Sequence, residues 1–123
     1  MYAPVLRAHA MDPKNRGRVD NANAFGESNY PPCGDVFKLS LRVEDGRIAE
    51  AGFETQGCGP LIALGSLATE AIRGLTVEEA LSRDGFYWDK AAGGLPAAKR
   101  HAILLFLDSL HQALSTQLKP GGT

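Results

Sequence analysis

Apolar and polar side chains alternate strictly from residue 37 to 44. Phe37, Leu39, Leu41 and Val43 interleave with Lys38, Ser40, Arg42 and Glu44, the period of a half-buried strand. A second alternating run sets Ala49, Ala51, Phe53 and Thr55 against Glu50, Gly52 and Glu54, so Glu44-Asp45-Gly46 predicts a hairpin. The two apolar faces coincide if its loop has three residues, a type I turn closed by a left-handed glycine. That register pairs Val43 with Arg47, Leu41 with Ala49, Leu39 with Ala51 and Phe37 with Phe53. Carried to the open end, it sets Cys33 opposite Gly57, next to Cys58. Neighbouring strands lie about 4.8 Å apart, which brings both thiols to one site.

The remaining pattern is helical or irregular. Residues 3–10 predict a short helix that ends before Asp12-Pro13, because a proline disfavours helical geometry in the residue ahead of it. Residues 14–32, rich in Asn, Gly and Pro, predict loop, with a short strand at Ala24-Phe25. After Cys58, Gly59-Pro60 opens a helix through Leu61, Leu64, Leu67, Ala68, Ala71 and Ile72, stopped by Gly74. Thr76-Val77-Glu78-Glu79 is a capping-box pattern opening a short helix to about Arg83. Residues 84–94 predict a loop, with Phe86, Tyr87 and Trp88 as a packed lid. Leu95-Pro96 opens a final helix to about residue 118, with Ile103, Phe106, Leu107, Leu110 and Leu114 on one stripe and His101 in its second turn. Residues 102–107 are apolar all round, the mark of a segment buried on two sides or covered by a partner.

The chain's 123 residues suit one domain, expected over 1–118 with a flexible tail at 119–123. Hydrophobic residues make up 44% and charged residues 22%, with a mean hydropathy of -0.16, values of a folding chain. Thirteen basic against fourteen acidic residues leave a net charge of -1, so no overall field favours nucleic acid or an anionic membrane. No apolar run approaches the roughly 20 residues of a spanning helix, and the first fifteen residues lack a signal-type apolar core. These features predict a cytoplasmic protein. Two cysteines are too few for a secreted disulfide framework, and a reducing compartment keeps them available as ligands or nucleophiles.

Cys33-Gly34-Asp35 carries a thiol and a carboxylate around a glycine, and Gly57-Cys58-Gly59 carries the second thiol between glycines. Glycines let backbone approach a bound ion and donate N–H groups to a thiolate. Cys58 precedes a helix N-terminus, whose dipole favours a thiolate. Three readings stand. The cysteines are small buried hydrophobes; or Cys58 is a nucleophile with a histidine base and Asp35 orienting it; or Cys33, Asp35, Cys58 and a histidine are four ligands for tetrahedral zinc or iron. His9 lies near the N-terminus and His111 on the polar half of the last helix. His101 is the third histidine.

The ordered set Asp12-Pro13-Lys14-Asn15-x-Gly17, Pro32-Cys33-Gly34-Asp35, Gly57-Cys58-Gly59 and Leu95-Pro96-x-x-Lys99-x-His101 resembles the IscU/NifU-type iron-sulfur cluster assembly scaffold, over residues 2 to about 115. The resemblance implies an α+β fold of the SufE/NifU-like kind, a three-stranded antiparallel sheet with helices packed on it. It implies a non-enzymatic scaffold without catalytic residues, holding a transient [2Fe-2S] cluster or iron, or zinc in the cluster-free form, and passing the cluster to apo-proteins. Cys33, Asp35, Cys58 and His101 match the family's ligand positions. The family's third cysteine directly follows the histidine, where this chain has Ala102, whose methyl group neither ligates iron nor accepts sulfur.

Implied partners are a cysteine desulfurase and recipient apo-proteins, with Lys14, Arg16, Arg18, Lys99 and Arg100 as a basic surface for an acidic partner. An Hsp70-type chaperone segment is matched at Leu95-Pro96-Ala97-Ala98-Lys99, with its middle Pro-Val replaced by Ala-Ala. The alternative function is a zinc-binding paralogue that docks or regulates a desulfurase without assembling clusters. A cysteine-dependent enzyme ranks last, because no oxyanion-hole or substrate-pocket pattern accompanies Cys58.

Overall fold

The structure is a computed structural model that describes residues 2–57, 59–115 and 117. Cys58, the expected tail at 119–123 and the expected helix end near residue 118 lie outside the described residues. Helix α1 (Pro4–Met11) is followed by strands β1 (Ala24–Tyr30), β2 (Asp35–Glu44) and β3 (Arg47–Gln56), then helices α2 (Gly59–Ile72), α3 (Val77–Ser82), α4 (Gly85–Ala91) and α5 (His101–Ser115). The strands form one antiparallel sheet in the order β1-β2-β3, the α+β architecture expected. Helix α5 lies along β1 and β2, α2 along β3, and α1 rests on α2. Phe37, Leu39, Leu41, Ile48 and Phe53 fill the core between sheet and helices, with Leu61, Leu64, Phe106 and Leu110 opposite. Among the described residues no helix is long and apolar enough to cross a membrane.

The hairpin differs from expectation in a way that matters for the site. Its loop has two residues: Asp45 (φ 52°) and Gly46 (φ 76°) both adopt the left-handed region, as a type I′ turn requires, with Glu44 paired to Arg47 and Val43 to Ile48. A bulge follows between Val43 and Arg42. Ile48 pairs with Val43 and Glu50 with Arg42, which leaves Ala49 as the extra residue. The bulge restores the apolar face that the short turn alone would have inverted. Leu41 therefore faces Ala51, Leu39 faces Phe53, and Phe37 faces Thr55. Ile48 takes the core position expected of Ala49. Pairing runs out at Val36 and Gln56, so the residue brought against Gly57 is Asp35 and not Cys33.

Two further expectations are corrected. Residues 24–30 form a full strand where mostly loop was expected, and its helix-facing row is Ala24, Gly26 and Ser28. These side chains are small because α5 comes so close, and small residues leave no apolar alternation to read. A Cβ built on Gly26 would lie 1.8 Å from the Ser109 carbonyl oxygen. Residues 85–91 form helix α4, N-capped by Asp84 accepting from Tyr87 N–H, and Trp88 is fully buried against Phe106, part of the core and not of a lid. The capping box at Thr76 and Glu79 and the stop at Gly74 (φ 88°) are as expected.

Residues 12–17 tie the layers together. Phe53 N–H donates to Asn15 O and Gly17 N–H to Phe53 O, at 3.0 and 2.8 Å, closing part of the outer edge of β3. Lys14 N–H donates to Ser66 Oγ on α2 at 2.7 Å, and Asn15 Nδ2 to Thr69 Oγ1. His9 Nδ1 lies 2.7 Å from Ser66 Oγ, which holds α1 in place.

Candidate metal and cluster site

Strand and helix periods bring α5 and β1 into phase. Two strand residues advance about 6.8 Å and one four-residue helical step about 6 Å, so Gly26, Ser28 and Tyr30 meet Ser109, Leu105 and His101 in turn. Ser28 Oγ donates to Leu105 O at 2.6 Å and lies 2.8 Å from Ser109 Oγ. At the end of the row the small residues give way to Tyr30, whose ring stacks on the His101 imidazole with centroids 4.5 Å apart and planes 19° apart. His101 is the first residue of α5, a turn earlier in the helix than expected, because Ala97–Lys99 forms a separate 3-10 turn.

Asp35 opens β2 and is Tyr30's cross-strand partner. The turn between them is Pro31–Cys33 plus Gly34, left-handed at φ 70°. Asp35 is 2% exposed, and its Oδ2 lies 2.8 Å from His101 Nε2. With the carboxylate accepting, the imidazole donates through Nε2–H. Gly57 is required on the other side, since a Cβ there would sit 2.7 Å from Asp35 Oδ1.

Of the four residues expected at this site, Asp35 and His101 are therefore in contact, although 66 positions apart. Cys33 is exposed in the adjoining turn, two residues from Asp35. Cys58 lies outside the described residues. Among the described residues no three His, Cys, Asp or Glu side chains converge as around an ion. The pair nevertheless suits a metal. Two donors holding one tetrahedral ion at about 2.0–2.2 Å would stand roughly 3.3–3.5 Å apart, not far beyond the 2.8 Å between His101 Nε2 and Asp35 Oδ2, so these two residues could hold one. Ala102, which directly follows His101, is fully buried.

The basic residues are partly committed elsewhere. Lys14 Nζ pairs with Asp12 at 2.6 Å, which holds the Asp12 carboxyl below its ordinary range, and the Arg18 guanidinium sits over the Phe25 ring at 4.6 Å. Arg100 lies 3.9 Å from Asp89. Tyr30 is the site residue that the sequence reading missed. The tyrosine before Pro31-Pro32-Cys33 belongs to no motif or period in the sequence, so no pattern flagged it.

Residues 1–119 match the NifU-like N terminal domain. The chain belongs to this family. It is 36% identical over 122 residues to the iron-sulfur cluster assembly scaffold protein IscU 1 of Archaeoglobus fulgidus, covering 99% of this chain and 80% of that protein. It is 35% identical over 126 residues to the scaffold protein IscU of Aquifex aeolicus, covering 98% and 78%. Among solved structures, a SUF-system protein of Fervidobacterium islandicum superposes with a TM-score of 0.75 at 21% identity, covering 92% of this chain and 96% of that one. The N-terminal part of a NifU-like protein of Brucella abortus gives 0.61 at 19%, covering 94% and 80%. At these identities the structural likenesses speak for the fold.

Proposed function

We propose that this chain is a non-enzymatic scaffold for iron-sulfur cluster assembly, which receives iron and sulfur, holds a [2Fe-2S] cluster and releases it to apo-proteins. Cys33, Asp35, Cys58 and His101 serve as the ligands. The observation that carries the reading is the 2.8 Å contact between Asp35 and His101, beside the turn bearing an exposed thiol, in a chain of the NifU-like family. A carboxylate, an imidazole and two thiolates fill the four terminal positions of a [2Fe-2S] core, for which mixed nitrogen and sulfur sets are adequate. Carboxylate and imidazole are harder donors than thiolate, so the cluster is held less firmly than by four cysteines. That suits transfer. The same four donors suit tetrahedral zinc when no cluster is bound. Sulfur comes from a cysteine desulfurase and the setting is the cytoplasm, where the thiols stay reduced.

Ala102 favours a second reading. With a buried methyl group at the position of the third family cysteine, the chain has one thiolate fewer for iron and for incoming sulfur, as expected of a zinc-holding paralogue that docks a desulfurase. Anaerobic reconstitution with ferric iron and sulfide separates the two. The scaffold reading expects visible cluster absorption with stoichiometric iron and sulfide, lost in Cys33→Ser. Retained zinc, with no absorption after iron and sulfide are supplied, rejects it in favour of the second.

The Leu95-to-Lys99 segment bears on the chaperone. Leu95 is buried, and its N–H donates to Asp89 Oδ1 at 2.9 Å, so an Hsp70-type partner would have to draw that side chain out of the core.

A further inference from the structure

We propose that Tyr30 is a positioning residue for the metal site, gripping the His101 imidazole so that its Nε2 faces Asp35. The inference rests on the scaffold reading above and adds to it a residue with no donor atom in the ligand set.

Two contacts, from cross-strand partners in β1 and β2, define the imidazole's place. Stacking on Tyr30 at 4.5 Å and 19° fixes the ring plane, and the 2.8 Å contact to Asp35 fixes rotation within it. Neither suffices alone. A hydrogen bond leaves the ring able to tilt about the Nε2–Oδ2 line, and a stack leaves it able to turn in its own plane.

The surroundings supply somewhere to go if the grip fails. His101 and Tyr30 border an open groove of about 450 Å³ that continues over Phe86, Ile103 and Leu104. Phe86 and Leu104 are 87% and 63% exposed, so these two leave the groove beside His101 open to solvent. Without the tyrosine ring the imidazole gains rotamers directed into the groove, and a bound ion must then pay the entropy of bringing it back. Groups that orient a liganding histidine typically alter metal affinity by about 10–100-fold.

The test uses Co²⁺ as the metal and its visible ligand-field bands as the readout, with the metal-free protein followed in parallel by NMR of the His101 ring protons. In the metal-free protein, ring-current shielding from Tyr30 holds these resonances upfield. Tyr30→Ala moves them downfield, while Tyr30→Phe keeps them in place. Tyr30→Ala weakens Co²⁺ binding about tenfold, Tyr30→Phe restores wild-type affinity, and in a His101→Ala background Tyr30→Ala brings no further loss. Unchanged Co²⁺ affinity in Tyr30→Ala overturns the inference, as does an equal loss with and without His101. A wild-type chain that binds no Co²⁺ removes the scaffold reading and this inference together, whereas wild-type binding unaffected by Tyr30→Ala removes this inference alone. Far-UV circular dichroism checks the fold, and Tyr30→Leu carries the same comparison if the alanine variant does not fold.

Discussion

Replacing Gly26 with alanine is the sharpest way to test how α5, and with it His101, is placed. The new methyl carbon would stand 1.8 Å from Ser109 O and 2.7 Å from the Ser109 carbonyl carbon, where ordinary contact begins at 3.4 Å. The Cβ is fixed by its own backbone and the atoms it meets are backbone, so no rotamer change relieves the collision and α5 must part from β1 by well over 1 Å. That movement strains the Ser28 hydrogen bonds to Leu105 and Ser109. Overpacking of this kind costs about 1–3 kcal/mol, and a weakened hydrogen bond about 1 kcal/mol more, so we expect a loss of about 3 kcal/mol. For a domain of this size that lowers Tm by roughly 10–15 °C. Urea unfolding followed through the buried Trp88, the single tryptophan of the chain, measures it. Gly59→Ala is the control, since its Cβ meets nothing within 4 Å and its cost is expected within about 1 kcal/mol. Because Ser109 and His101 are two helical steps apart on one rigid element, Gly26→Ala also weakens metal binding. A Gly26→Ala protein within about 0.5 kcal/mol of wild type, a difference no larger than that of a neutral surface change, would refute the close packing of α5 on β1.

Three other outcomes are expected. Ser66→Ala removes the acceptor of Lys14 N–H and the partner of His9 Nδ1, and denaturant unfolding should register a loss of about 2 kcal/mol. Glu79 accepts from Thr76 N–H in the capping box, which with the Thr76 side chain holds its carboxyl below the ordinary value of 4.5. A depressed carboxyl stabilises the fold above its unfolded-state value and loses that contribution as pH falls through its folded value. The stability gap between wild type and Glu79→Gln should therefore be open at neutral pH and close in acid. Ala102→Cys should slow the decay of the reconstituted cluster's visible absorption under a chelator, because it adds a thiolate beside His101; faster decay would count against position 102 as a ligand position.

Much of this molecule was legible in one dimension. Alternation found β2 and most of β3, the Thr76 and Glu79 side chains announced α3, and Gly59-Pro60 with Gly74 bracketed α2. Such signals are local: a period, a cap and a stop depend on residues only a few positions apart. The chemistry of the candidate ligands was equally readable, since thiol, carboxylate and imidazole donors are recognisable wherever they stand.

Tertiary structure decided the rest, because each remaining feature is a contact between distant segments. Only the start of β1, at Ala24-Phe25, was readable, since Ala24, Gly26 and Ser28 must be small to admit α5, and smallness resembles a loop. The hairpin register followed from a two-residue turn and a bulge at Ala49, which no alternation pattern distinguishes from a longer turn, and together they shift the pairing by two residues and bring Asp35 and not Cys33 against Gly57. Tyr30 acquired its place only when the phase between a 3.4 Å strand rise and a 1.5 Å helix rise laid His101 across its ring. Residue types can specify which atoms are able to bind a metal, but which of them meet is settled by how closely helix and sheet can approach.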